Sequence, residues 1–179
     1  MTTALAMDKT AARDAEALTR EAFDAFYTRT AAALRSYICR VSGSATLADD
    51  ILQESYIRLL GAPPLEEPQR KSYLYRTATN LITDHRRAQG RRQRWWQLTA
   101  PRAEAVEPAF DVSSDVERLF ARLDPQERAL LWLAYVDGAS HREIAEVLGL
   151  KEASIKVLLF RARNKMEKLL REHGIEGTP

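Results

Sequence analysis

Between Arg70 and Arg94 eight cationic side chains (Arg70, Lys71, Arg76, Arg86, Arg87, Arg91, Arg92 and Arg94) are set against a single acid, Asp84. A second basic stretch runs from Lys151 to Arg171 and holds Lys156, Arg161, Arg163, Lys165 and Lys168 against Glu152 and Glu167. Tyr73, Tyr75 and Asn80 are interleaved with the first stretch, and Ser154 and Phe160 with the second. Cations neutralise phosphates, and aromatic or polar side chains beside them accept bases, so two such segments suggest two contacts with a nucleic acid. Charge alone is equally compatible with two solvated helix faces. The acids lie elsewhere, in Asp49, Asp50 and Glu54 and again from Glu104 to Glu117. Asp50, Gln53 and Glu54 fall on neighbouring helical turns and present acceptors suited to a basic partner helix.

Other chemistries find little support. Cys39 is the only cysteine, and the three histidines, His85, His141 and His173, are far apart, which gives no disulfide and no metal-ligand spacing. Cys39 sits among apolar helix positions, as a buried structural thiol would. There is no glycine-rich phosphate loop, nucleophile motif or grouped His/Cys/carboxylate set, so neither an enzyme nor a cofactor is expected. No run approaches the roughly 20 apolar residues of a membrane span. Asp8 and Lys9 stand where a secretory signal needs its apolar region, and a cytoplasmic location is expected.

The elements that position these residues are helical throughout. Phe23, Phe26, Tyr27, Leu34, Tyr37 and Ile38 stripe a first helix, and Ser42-Gly43-Ser44 breaks it. Thr46, with Asp49 three residues on, is read as the start of a second, carrying Leu47, Ile51, Leu52 and Leu59. Gly61, Pro63, Pro64 and Pro68 predict a loop of about ten residues before Ser72. A third helix follows, striped by Leu74, Ala78, Leu81, Ile82 and His85. Ser114 can open the next, carrying Val116, Leu119, Phe120 and Leu123. Asp124-Pro125-Gln126-Glu127 then sets a cap, an N1 proline and a box-closing acid in order. Ser140 to Glu143 repeats the box, Gly149 closes that helix, and a final basic helix starts near Glu152. This is the pattern of a helix-turn-helix, whose second helix enters the major groove. Ile144, Ala145 and Leu148 can pack on Ile155 and Leu159, leaving Ser154, Lys156, Val157, Phe160, Arg161 and Arg163 for outer faces. The expected organisation is all-α, two small helical domains at 19–97 and 114–171. A flexible linker at 98–113 joins them, with tails at 1–18 and 172–179.

At Leu123-Asp124-Pro125-Gln126-Glu127-Arg128, Gly138-Ala139-Ser140-His141-Arg142-Glu143-Ile144-Ala145-Glu146-Val147-Leu148-Gly149 and Leu159-Phe160-Arg161-Ala162-Arg163, the chain resembles region 4 of extracytoplasmic-function sigma factors. In that family this unit binds the -35 promoter element, which assigns Ser154, Lys156, Val157, Phe160, Arg161 and Arg163 to that contact. The chain departs from the family at Val157-Leu158, where Ser-Arg is common. Val157 could meet a thymine methyl, or the pair could pack on the other domain or a regulator; Leu158 also fits the core stripe.

Leu47 to Tyr56 resembles the region 2 helix that grips the clamp helices of the polymerase largest subunit, implying Asp49, Asp50, Gln53 and Glu54 as the contact. Ser72 to Arg87 resembles the helix that reads and opens the -10 element. That implies roles for Tyr73, Tyr75, Arg76, Asn80, Arg86, Arg87, Arg91 and Arg92, with Asn80 and the stretch 61–71 as candidates to capture a flipped base. Tyr73 and Tyr75 serve equally well as core or interface aromatics. Trp95-Trp96 has no counterpart in the pattern and reads as a linker anchor or a stacking pair.

The resemblance covers about Phe23 to Leu170 outside the linker. It implies core RNA polymerase (clamp helices and flap), promoter DNA and an anti-sigma factor as partners. A free-standing helix-turn-helix regulator, with the first bundle as a dimerisation or ligand module, is the alternative. That reading predicts tight duplex binding without polymerase.

Overall fold

The structure, a computed structural model, describes residues 19–99 and 115–175, the side chains of 92–99 excepted. Among the described residues there are helices and no strand. They are α1 (Arg20–Ser42), α2 (Ala45–Leu60), α3 (Glu67–Thr99), α4 (Asp115–Ala121), α5 (Pro125–Tyr135), α6 (His141–Leu148) and α7 (Glu152–Glu172).

Thr19 caps α1, its hydroxyl accepting from the Ala22 N–H at 3.2 Å, and Gly43 ends it in a left-handed conformation (φ 84°). The next cap is Ser44 and not Thr46. Extended backbone at Ser44 turns its hydroxyl onto the Leu47 N–H at 3.2 Å, so Thr46 is already helical. The loop before α3 is likewise shorter than expected, because α3 begins at Glu67 and not near Ser72. Pro68 falls in the first turn, where no N–H is needed, and the Gln69 side chain accepts from the Glu66 N–H at 3.0 Å. Glu67 to Lys71 therefore belong to the helix.

Phe26, Leu34, Tyr37 and Ile38 of α1, Ile51 and Leu59 of α2, and Leu74, Ala78 and Ile82 of α3 are buried together. Each large apolar side chain stabilises the bundle by about 1.5–3 kcal/mol. The stripe of α3 ends at Ile82, since His85 is exposed, and Cys39 is half-buried rather than enclosed.

The second half follows its caps. Asp124 and Glu127 exchange both bonds of a capping box at 2.9 Å, with Pro125 at the first position of α5. Ser140 and Glu143 do the same for α6, and Gly149 (φ 64°) turns the chain into α7. Ile144 and Val147 of α6 meet Ile155 and Leu159 of α7, while Leu119, Leu131, Ala162 and Leu169 form a smaller cluster behind them.

The two halves pack directly on each other. α3 lies against α6 and α1 against α5, and Leu130, Leu133 and Ile144 share one cluster with Leu74 and Tyr75. Polar contacts cross the seam as well. Asp137 accepts from the Tyr75 hydroxyl at 3.2 Å and from the Lys71 ammonium at 2.9 Å. Arg40 pairs with Glu117, and Arg128 donates to the Arg40 carbonyl at 3.2 Å. The stretch read as the linker lies outside the described residues beyond Thr99, as do both tails up to residue 18 and from 176.

Candidate protein and nucleic-acid interfaces

The acidic residues of α2 divide into engaged and open groups. Asp49 is held by Arg35 of α1 through two bonds, Nε at 2.6 Å and a terminal nitrogen at 3.1 Å. That hydrogen bond, with the guanidinium charge, holds the Asp49 carboxyl below its ordinary range. Glu54 accepts from Arg58 one turn on at 2.7 Å. Asp50 and Gln53 are exposed and, among the described residues, meet no hydrogen-bond or ion-pair partner. The open acceptors of this face are thus Asp50 and Gln53, followed along the same side by the exposed Ile57 and Leu60.

On α3 the helical repeat sorts the candidates. Tyr73, Arg76, Asn80, Arg87 and Arg91 fall on one side at steps of three, four, seven and four, away from Leu74, Ala78 and Ile82. The last four are exposed. Tyr73 is half-buried, its ring 6.0 Å from the Arg76 guanidinium carbon and its hydroxyl reaching the Arg58 carbonyl at 3.4 Å. Tyr75 is different. It is 3% exposed, its ring centre is 4.9 Å from that of Tyr37, and its hydroxyl points at Asp137. Burial first, then the Asp137 carboxylate, push its phenol well above the ordinary value. The interface role is therefore the one this arrangement gives Tyr75, and its ring is not offered to DNA. Arg86 is turned about 100° from Arg87 by the helical repeat, toward the side where its charge acts on Arg128. The Arg92, Trp95 and Trp96 side chains lie outside the described residues.

On α7 the candidates are brought together. Ile155, Leu159 and Ala162 face inward, and Lys156, Val157, Phe160, Arg161 and Arg163 are exposed. Ser154 is half-buried, and its N–H is bonded to the Lys151 carbonyl at 2.9 Å. The Arg163 guanidinium carbon sits 5.8 Å from the centre of the Phe160 ring. No side chain caps α7 at Lys151, so among the described residues the N–H groups of Glu152 and Ala153 remain available to a phosphate. Leu158 packs on the core and Val157 does not.

Two features escaped the sequence reading. One is Asp137, whose partners lie more than 60 residues away in sequence. The other is an apolar groove of about 500 Å³ between α5 and α7, lined among others by Leu131, Trp132, Tyr135, Val136 and Met166. Tyr135 and Val136, on its rim, are exposed. Among the described residues no group of His, Cys, Asp and Glu could hold a metal ion, and no helix is long and apolar enough to cross a membrane.

These surfaces coincide with known modules. The family model described as Sigma-70 region 2 matches residues 26–92, and that described as Sigma-70, region 4 matches residues 113–166. The chain belongs to the sigma-70 family. Its similarity extends to extracytoplasmic-function members. It is 29% identical over 160 residues to the ECF RNA polymerase sigma factor SigL of Mycobacterium tuberculosis, covering 84% of this chain and 90% of that protein. It is 27% identical over 146 residues to SigE of Mycolicibacterium smegmatis, covering 76% and 57%. With BldN of Streptomyces coelicolor it shares 30% identity over 169 residues, covering 87% and 63%. The chain therefore spans nearly all of one such relative and less than two thirds of the other two.

Among solved structures, this sigma factor's fold is similar to RpoE of Bartonella quintana in complex with the anti-sigma factor NepR. The TM-score is 0.64 at 22% identity, over 83% of this chain and 96% of that one. CnrH in complex with the cytosolic domain of CnrY gives 0.63 at 23% identity, over 89% and 94%. Sigma factors are initiation factors and not enzymes, and the α2 to α3 and α6 to α7 surfaces fall in the family's regions 2 and 4 respectively.

Proposed function

We propose that this chain joins core RNA polymerase through the outer face of α2, directs it to promoters and helps open them. In this reading the Tyr73, Arg76, Asn80, Arg87 and Arg91 side of α3 receives the -10 region. The outer face of α7 takes the -35 element. The observation that carries the reading is the open pair Asp50 and Gln53 beside Ile57 and Leu60, a surface built for a protein partner and turned to solvent. A free duplex binder has no use for an open carboxylate there, since the Asp50 charge repels phosphate. The apolar groove between α5 and α7 is assigned to the polymerase flap, the second polymerase contact. Two structural relatives were solved with an anti-sigma factor or a cytosolic partner domain, and an anti-sigma factor is proposed as the restraint on this chain too.

Purified chain plus core polymerase is expected to give promoter-dependent transcripts, and Asp50→Lys to abolish association with core while leaving the circular dichroism melt unchanged. A D50K variant that still assembles and initiates would remove α2 from the polymerase contact. Tight, specific duplex binding by the chain alone, unaffected by D50K, would favour the free-standing regulator.

A further inference from the structure

The outward face of α7 has an uncommon chemistry for a surface meant for DNA. With 100° per residue, the direction opposite Ile155, Leu159 and Ala162 is taken by Ala153, Val157, Phe160 and Asn164, flanked by Lys156 and Arg161. Three of the four central residues are apolar. Val157 is 50% exposed and Phe160 54%, and neither belongs to the cores that hold Leu158 and Leu159. One face of the Phe160 ring is attended by Arg163. Val157 carries two methyl groups at the middle of the outer surface, one and a half turns from the start of the helix. That is the part of a recognition helix that reaches base edges.

An apolar centre with cationic flanks selects its own occupant. A protein partner of matching shape would need acids to meet Lys156 and Arg161, whereas a DNA duplex supplies phosphates on both sides of a groove. The one apolar group on a major-groove edge is the 5-methyl of thymine. A valine makes no hydrogen bond, so it offers nothing to a guanine, cytosine or adenine edge and leaves their polar groups dehydrated without a partner. Packing on the first domain is excluded by the exposure of Val157 in the arrangement where the two halves touch.

We infer that Val157 is a specificity-determining residue that reads a thymine methyl in the upstream promoter element. This rests on the placement of α7 in the major groove. The neighbours divide the labour: Lys156 and Arg161 fix the helix on the backbone, and Val157 discriminates at one base pair.

The test uses holoenzyme, reconstituted from the full chain and core polymerase, and a duplex pool randomised upstream of the start site. Wild type is expected to enrich thymine at one upstream position, and Val157→Ser to lose that preference. Replacing this thymine by uracil removes only the methyl. It should weaken wild-type binding about three- to fivefold and leave V157S unaffected. Equal binding of thymine and uracil duplexes by wild type, or the same thymine enrichment by V157S, overturns the inference. Lys156→Ala and Arg161→Ala separate the two levels. If they weaken upstream binding while uracil has no effect, α7 sits on DNA and only the methyl reading fails; if they too change nothing, the placement of α7 fails with it.

Discussion

Asp49 and Asp50 are adjacent in sequence and chemically alike, yet the fold gives them different work. Asp49 ties α2 to α1 through Arg35, and Asp50 points to solvent. Asp49→Asn is expected to lower the melting temperature slightly, by an amount that shrinks with added salt, and to leave core polymerase binding intact. A loss of binding equal to that of Asp50→Lys would place Asp49 in the contact. Because the Asp49 carboxyl is held below its ordinary range, its contribution is present above the usual carboxylate pKa and is lost as the pH falls through its lowered value. The buried phenols have the opposite sense. Tyr75 and Tyr37 are raised by burial, so the fold favours their neutral forms. Their contribution is complete below the ordinary phenol value of 10.0 and declines above it, as the unfolded chain ionises first. Urea midpoints should therefore fall from about pH 9 to about pH 11, and fall less for Tyr75→Phe. An identical slope in that variant would show that Tyr75 ionises freely in the folded chain.

At the scale of the elements, the turn before α7 decides where the recognition helix points. Gly149 has φ 64°, and a Cβ there would meet no atom within 4 Å, so only backbone strain opposes a side chain. Gly149→Ala should cost about 1–2 kcal/mol and Gly149→Asn distinctly less, measured by urea denaturation. Equal costs would point to a packing role instead. Signals of this local kind were legible in the sequence: the Asp124 and Ser140 boxes and Gly149 each need only residues within four positions. Ser44 and Glu67 were not. Both Ser44 and Thr46 can cap, and the choice depends on the backbone that Gly43 imposes. Pro68 reads as a breaker unless the helix is known to start one residue before it. The outer residues of α7 were legible because one stripe of apolar residues fixes the phase of the whole helix. Tyr75 was ambiguous because a neighbour outside its own helix determines its fate.

The seam between the halves belongs to the whole molecule, and periodicity cannot find it. Asp137 reads as an ordinary turn acid before Gly138, but its side chain is only 14% exposed and gathers Lys71 and Tyr75 from the other half. Arg128 is 7% exposed, and its Nε meets no hydrogen-bond partner among the described residues. Burial, then the nearby Arg86, lower its pKa against a smaller opposing pull from Asp124. The seam thus combines a satisfied polar cluster with a cation held at a cost, and the two should respond in opposite ways to truncation. Asp137→Ala leaves the Tyr75 hydroxyl buried without its acceptor and should destabilise by about 1–3 kcal/mol. Arg128→Met keeps the volume and removes the uncompensated donor, giving up one bond to the Arg40 carbonyl at 3.2 Å. It is expected to leave the urea midpoint unchanged or raise it, since buried charges replaced by apolar residues of similar size are often neutral or stabilising. A loss of more than about 3 kcal/mol in R128M, the range seen when a buried pair is broken, would show that the bond to Arg40 outweighs the desolvation of the guanidinium.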